Sequence, residues 1–265
     1  PAISTWRFSS STSSFQLMVV RSTGSRREAS ELIMRCMNPL ISDYPLIVYL
    51  DFKSPYAYLA KDPTAQLEPD YQIKIDWRPL TLDIPSFLGS ARTDDKGNLV
   101  EDNRTPRQWN GVRYAYMDAK RYARLKDMIL YGPQKIWDSS GASIGMLWAK
   151  DHGSAQLMAY MDRIFERFWR RELDIEDPAV LETVLGESGC AVNGFREYLA
   201  GDGRELHDQL QDALHPAGIF GVPTYVIDGE RFFGREHLPM VRWILGGKHG
   251  SPPDIAYQHF PEKKS

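Results

Sequence analysis

Ser54 is the residue whose type and setting point most directly to chemistry. It comes just after the apolar run LIVYLDF at 46–52 and is followed by Pro55 and the segment YAYLAKDPTAQLE. A Ser-Pro pair opens a helix, because the hydroxyl accepts from free first-turn amides and proline suits the first helical position. Taken alone, the pair reads as a plain helix cap. The same hydroxyl at a helix N-terminus also favours a bound anion. No His-Asp pair in the sequence is visibly placed to deprotonate Ser54, so it reads as a hydrogen-bond donor and not as a nucleophile. Cysteine offers no competing chemistry. Cys36 and Cys190 stand in neither CxxC nor metal-ligand spacing, which argues against a disulfide framework and a zinc site and for a reducing compartment. His207 and His215, eight apart on a polar stretch, lack the spacing of a metal pair and read as solvated surface.

The elements that must position Ser54 follow from patterning. LIVYLDF is continuous, apolar and β-branched, the signature of a buried central strand. The segment YQIKIDWRPL alternates apolar and polar residues and reads as a second strand ending at Pro79, which completes a β-α-β unit. Within it, Arg78 is open to two readings, an acidic substrate or a surface carboxylate. Residues 83–104 mix Pro, Gly and charge and read as an irregular connection. Helical spacing then dominates to about residue 215. It begins with RQWNGVRYAYMDAKRYARL, runs through the long apolar stripe of GASIGMLWAKDHGSAQLMAYMDRIFERFWRREL, and continues after Asp177-Pro178. Tyr114 and Tyr116 on the first of these helices are read as core before pocket. Strands return with PTYVIDGERFFG, a hairpin turning at Asp228-Gly229, and a last helix closes at Gly246-Gly247. The order is β-α-β, helical insertion, β-β-α.

Composition narrows the function classes. With 265 residues and 42% hydrophobic content the chain has material for one sizeable core. A formal charge of −3 gives no drive toward phosphate backbones, so nucleic acid is not an expected partner. No apolar run approaches the roughly 18 residues of a membrane span. Residues 1–44 differ from the rest: Pro1 through Arg27 is rich in Ser and Thr, carries four arginines and has no acidic residue before Glu28. That suits a transit peptide or disordered leader. An artefactual extension ahead of Met37 is the blander reading. A cytoplasmic location is expected, or a mitochondrial one if the leader is genuine.

Three stretches resemble a known family. YLDFKSPYAYLA is similar to the active-site turn of DsbA-type oxidoreductases, in which Cys-Pro-x-Cys begins the helix; here Ser54-Pro55-Tyr56-Ala57 takes those places. Loss of both cysteines removes disulfide exchange, which needs an attacking thiolate and a resolving thiol. GIFGVPTYVIDG resembles the cis-proline loop, with Val222-Pro223 ahead of the next strand, and RFFGREHLPMV resembles the last strand and helix start. In combination these resemble the 2-hydroxychromene-2-carboxylate isomerase and kappa-class glutathione transferase group of the DsbA-like thioredoxin superfamily, over roughly residues 46–247.

The resemblance implies an α/β, thioredoxin-like fold with a large inserted helical domain. The expected boundaries are 45–82 and 216–248 for the thioredoxin-like part, 83–215 for the insertion and 249–265 for a tail. It implies glutathione as cofactor, Ser54 as the catalytic group, and Val222, Pro223, Arg235 and Glu236 as glutathione-binding residues. Family members usually show a small polar residue followed by Asp-Arg where this chain has Arg235-Glu236-His237. Asn103 is implied on the substrate side, within Asn-Arg-Thr-Pro at the place of a family Asn-x-Pro-Pro segment, and Tyr56 is a candidate from its aromatic type alone for lining an aromatic-substrate pocket. No metal is implied, and relatives of this kind are commonly homodimers.

The energetics are compatible with that role. A free thiol of pKa near ~8.5 is only a few per cent ionised at pH 7, so activation requires lowering it by about 1.5–2 units, or about 2–3 kcal/mol. A Ser hydroxyl donated to a thiolate contributes about 1.5–3 kcal/mol and a helix N-terminus about 0.3–1 kcal/mol. The leading expectation is a glutathione-dependent isomerase whose thiolate adds reversibly to an electrophilic, unsaturated aromatic-derived acid. A kappa-like glutathione transferase and a non-catalytic thioredoxin-like binding module are the alternatives.

Overall fold

A computed structural model describes residues 38–254 apart from Asp95. The leader reading therefore lies outside the described residues up to residue 37, as does the tail beyond 254. Four strands form the central sheet in the order β2-β1-β5-β6. Strand β1 (Leu46–Leu50) is buried along its whole length and pairs in parallel with β2 (Ile75–Pro79), Val48 opposite Trp77. On its other side β1 runs antiparallel to β5 (Thr224–Ile227), which turns into β6 (Glu230–Phe233). Asp228 and Gly229 both take positive φ, 52° and 78°, the backbone of a two-residue type I′ turn. The β-α-β and β-β-α order expected from the pattern is the one observed.

Helix α1 (Pro55–Ala65) leaves the end of β1, and α2 (Leu67–Tyr71) follows it. The second strand therefore starts at Ile75, later than its alternating pattern suggests, because Tyr71 closes a helix. Its polar members Asp76 and Arg78 are both buried. Arg78 donates from Nε and Nη2 to Asp76 Oδ2 at 2.9 and 2.6 Å, and its guanidinium also reaches the carbonyls of Asn38 and Ile41, each at 2.7 Å. Lys150 pairs with the other Asp76 oxygen. Arg78 is thus an interior strut that fastens the chain entering β1, and neither of its two surface readings holds.

Between β2 and β5 lie α3 (Ile84–Leu88), the hairpin β3 (Ala91–Thr93) and β4 (Leu99–Asp102), and then α4 (Pro106–Arg124). Helices α5 (Ser140–His152), α6 (Ser154–Trp169), α7 (Pro178–Glu187), α8 (Phe195–Ala200) and α9 (Asp202–Leu214) complete the stretch. The expected irregular connection at 83–104 therefore contains a short helix and a hairpin. Its strands are only three and four residues long and largely solvent-facing, too short for a period to show in sequence. A 3₁₀ turn (Arg235–His237) and α10 (Leu238–Leu245) end the fold.

An aromatic stack joins the helical stretch to the sheet. Phe165 of α6 lies 5.5 Å from Tyr58 and 4.9 Å from Phe52, so α1 is clamped one turn from its N-terminus. Helix α5 approaches α6 closely because Gly145 faces the Tyr160 hydroxyl; a Cβ there would sit 2.2 Å from it.

Burial of the Asp76 carboxylate opposes its charge, but Lys150 and Arg78 outweigh this and hold its pKa below the ordinary value. A depressed carboxyl pKa stabilises the fold above the unfolded-state value near ~3.9, and that contribution is lost as pH falls through the folded-state value. Asp76→Ala, which leaves Arg78 and Lys150 buried without their anion, is expected to cost about 3–5 kcal/mol in urea unfolding at neutral pH. The loss should begin to shrink below about pH 4, where the unfolded-state carboxyl takes up its proton, and should vanish only once pH has fallen through the lower folded-state value.

Candidate functional site

The chain leaves buried β1 through a turn in which the Ser54 amide donates to the Asp51 carbonyl at 3.0 Å. Ser54 then caps α1 in extended conformation (φ −91°, ψ 118°), and its Oγ accepts the Ala57 amide at 3.3 Å. That bond uses an oxygen lone pair and leaves the hydroxyl proton available to donate. Ser54 is 5% exposed and lines a cavity of about 1190 Å3 at the junction of the sheet end and the helical stretch.

Across this cavity stands Val222, immediately before a cis Val222–Pro223 peptide bond. The Val222 amide and carbonyl have no hydrogen-bond partner among the described residues. Phe220 and Phe233, in ring contact at 5.0 Å, are half-exposed at the same edge. Tyr56 enters from the first turn of α1 and donates to Asp118 at 3.2 Å; burial, reinforced by that carboxylate, pushes its phenol up to about 12. Tyr56 is therefore a neutral donor at physiological pH.

Helix α4 supplies the facing wall. Trp109, Val112, Arg113, Tyr116, Met117 and Lys120 recur at helical spacing and all line the cavity. Arg104, just before the helix, joins them. Its guanidinium lies 4.9 Å from the Trp109 ring centre, and Arg113 lies 5.4 Å from it. Among the described residues, none of Arg104, Arg113 and Lys120 has a carboxylate within 4.0 Å. The Arg104 Nε is buried without a hydrogen-bond partner, and desolvation lowers its pKa. Cations collected on an otherwise apolar wall suit an anionic, largely hydrophobic ligand.

Beneath Ser54 the Asp51 carboxylate is fully enclosed. It accepts the Leu82 amide at 2.8 Å and the Lys53 amide at 3.1 Å, with the Lys53 ammonium 3.8 Å away. Desolvation nonetheless raises its pKa.

Of the residues singled out from sequence, Ser54, Tyr56 and Val222 come together in the cavity lining, with Pro223 directly behind Val222. Arg235 lies outside the lining, its guanidinium 3.7 Å from the Tyr122 ring centre. Glu236 is exposed and folded back over Gly234, while Asn103 is exposed and donates to Ser90 at 3.1 Å. His207 is not solvated surface. It is 3% exposed, sharing the buried face of α9 with Leu210 and Leu214 at i, i+3 and i+7, a spacing that signals its burial. The cationic face of α4 was legible by the same rule, since 109, 113, 116 and 120 fall on one side of a helix. Among the described residues no cluster of three or more His, Cys, Asp or Glu is placed to hold a metal, and no helix is long and apolar enough to cross a membrane.

The family model of the DSBA-like thioredoxin domain matches residues 45–246. The chain belongs to that family. This DSBA-like domain is 28% identical over 203 residues to a 2-hydroxychromene-2-carboxylate isomerase of Pseudomonas putida, covering 75% of the chain and 92% of the relative. It is 26% identical over 204 residues to one of Pseudomonas sp. strain C18, covering 75% and 89%. A solved 2-hydroxychromene-2-carboxylate isomerase superposes with TM-score 0.59 at 25% identity, over 77% of this chain and 95% of that one. A probable DsbA oxidoreductase of Streptomyces coelicolor shares the fold, with TM-score 0.56 at 15% identity over 80% and 93% of the two chains. The Ser-Pro-Tyr-Ala turn of this domain lacks the thiol pair that disulfide exchange requires.

An anionic naphthalenesulfonate dye is the expected reporter of the α4 wall. The Arg113→Ala, Lys120→Ala double variant should weaken its binding about tenfold or more in fluorescence titration, about 1.4 kcal/mol, and leave an uncharged naphthalene analogue unaffected. Equal loss for both probes would mean that the cavity has collapsed and not merely lost charge.

Proposed function

We propose that this protein is a glutathione-dependent isomerase of the 2-hydroxychromene-2-carboxylate isomerase type. The observation that carries the reading is the meeting of the Ser54 hydroxyl, at the N-terminus of α1, and the unpaired Val222 backbone in one cavity whose far wall is cationic. The names of the relatives point to the same class of reaction.

The residues present fit glutathione. An unpaired amide and carbonyl at Val222, in the loop just before β5, suit pairing with an extended peptide backbone, and a buried hydroxyl donor at a helix N-terminus suits a thiolate. Glutathione, when bound, supplies a thiolate able to add reversibly to an electrophilic double bond, and addition followed by loss permits rotation about it. Ser54 holds the negative charge on sulfur by donating its proton, while the amides of the first turn of α1 add their dipole. Arg113 and Lys120 hold the carboxylate of the substrate, and Trp109, Val112 and Met117 exclude water from its ring. Tyr56, neutral at working pH, keeps its proton aimed at Asp118 and so joins the first turn of α1 to α4 at the edge of the cavity.

Bound glutathione ionises with a measurable ultraviolet thiolate band, which gives the test. Wild type is expected to bind glutathione with a lowered thiol pKa and to interconvert a hydroxychromene carboxylate without consuming it. Ser54→Ala should raise the bound thiol pKa by about 1–2 units, from loss of a charge-assisted hydrogen bond of about 1.5–3 kcal/mol, and slow isomerisation at neutral pH about tenfold or more. Absence of glutathione binding by wild type overturns the proposal, and unchanged thiol ionisation in the variant overturns the role of Ser54. Stoichiometric consumption of glutathione into a stable conjugate would assign transfer in place of isomerisation.

A further inference from the structure

A second polar constellation borders the same cavity. Thr81 lies in the loop between β2 and α3, where the Leu80 amide donates to the Leu50 carbonyl at 2.8 Å and the Leu82 amide to the Asp51 carboxylate at 2.8 Å. The loop is thereby pinned beside the turn that carries Ser54, and Thr81 lines the cavity. Its Oγ1 is 2.9 Å from His207 Nε2, and His207 Nδ1 is 2.8 Å from Asp208 Oδ1. A carboxylate beside Nδ1 accepts the proton carried there, so Nε2 is left as the acceptor for the Thr81 hydroxyl, whose oxygen then accepts the Ser143 hydroxyl at 3.3 Å and keeps a second lone pair for the cavity. The row runs from the cavity through a buried imidazole to Asp208, whose side chain is 58% exposed.

Anchoring the loop does not require this row. Gln211 of α9 already accepts the Thr81 amide at 2.8 Å and donates to the Pro79 carbonyl at 3.3 Å, joining the same segments. Nor does the row serve Ser54, whose bonds run to Asp51, Ala57 and Tyr58.

We infer that Thr81 is a proton-transfer group facing the substrate, with His207 acting through it as base and acid and Asp208 as the orienting carboxylate. The inference rests on the isomerase reading in one respect, the identity of the proton that is moved. A 2-hydroxychromene is a ring hemiketal, so opening it moves a proton off one oxygen and closing it puts the proton back. In the opening direction the substrate O–H proton passes to Thr81 Oγ1 while the proton of Thr81 passes to His207 Nε2. The imidazolium stays paired with Asp208, and the proton returns along the same path to the phenolate oxygen freed when the ring C–O bond breaks. No electrons change hands and nothing is consumed. Ser54 manages charge on sulfur and Thr81 manages the proton on oxygen, from adjoining loops of one cavity.

Burial, first, and then Arg204 hold His207 below the ordinary imidazole range, against the opposing pull of Asp208 and of Asp138 from the segment before α5. His207 is therefore neutral and able to accept at neutral pH. Below its pKa it is already protonated, and turnover should fall.

The experiment compares wild type, His207→Gln, Thr81→Val and Thr81→Ser in isomerisation kinetics across pH, with glutathione binding and ¹⁵N NMR of the imidazoles alongside. His207→Gln and Thr81→Val should lower kcat about 100-fold, the lower range for general acid–base catalysis, and abolish the acidic limb. KM and glutathione affinity should stay within about twofold, and Thr81→Ser should recover most of the rate. Wild-type kcat with an intact acidic limb in His207→Gln overturns the relay, and so does a His207 resonance showing the Nε2–H tautomer. If a glutathione-binding wild type isomerises no chromene acid, it is the reading of the reaction that fails. The relay is then judged by NMR alone: an Nδ1–H tautomer whose pKa moves in Thr81→Val supports it, and an unmoved pKa overturns it.

Discussion

The enclosed carboxylate of Asp51 is the interaction on which the working end of this molecule depends. One oxygen receives the Lys53 amide, one residue before Ser54, and the other receives the Leu82 amide, one residue after Thr81. A single side chain thus sets the spacing of two loops that leave parallel neighbouring strands. Burying an anion is unfavourable, and the raised pKa of Asp51 records it. Two amides and the nearby Lys53 ammonium offset that cost, which is why the arrangement is rigid: either loop can move only by abandoning a buried charge.

From that anchor the cavity divides into two chemically distinct halves. The sheet end contributes Ser54 and Val222, a hydroxyl at a helix N-terminus and an unpaired backbone, which under the proposed function take an anionic sulfur and an extended peptide. Helix α4 contributes Arg113, Lys120 and Trp109, which recognise charge and ring surface. The halves are joined by Tyr56 of α1, which donates to Asp118 of α4, and by α6, whose Phe165 packs on Tyr58 and Phe52 while its Trp169 meets Tyr116 of α4. In the proposed function this DSBA-like scaffold, without a thiol pair in its Ser54 turn, receives its thiol as a bound group, and helix α4 decides what that thiol meets.

Some of this was legible in residues alone because it is local. The buried strand at 46–50, the Ser54-Pro55 cap and the Asp228-Gly229 turn each depend on a few adjacent residues and were read correctly. Other features were misread because a short window cannot report what packs on it. Arg78 and His207 are polar residues in polar-looking segments, and both prove to be buried, Arg78 together with Asp76 and His207 with only its Asp208 partner reaching solvent. The partner of Arg78 lies two residues away on its own strand, and that pair is enclosed only because residues 38–41 and Lys150 fold over it.

What the sequence by itself determined is the class of the fold and the location of the Ser54 turn, since strand period, capping chemistry and turn conformation are set by neighbours along the chain. Tertiary structure alone decided the composition of the site. It brought Thr81 within 2.9 Å of His207, 126 residues further on, and set Arg113 and Lys120 in the same cavity lining as Ser54 while leaving Asn103, Arg235 and Glu236 outside it. The physical reason is that a cavity is the space left between elements after they pack. Its lining depends on helix orientation and crossing, which long-range contacts settle and local pattern does not encode.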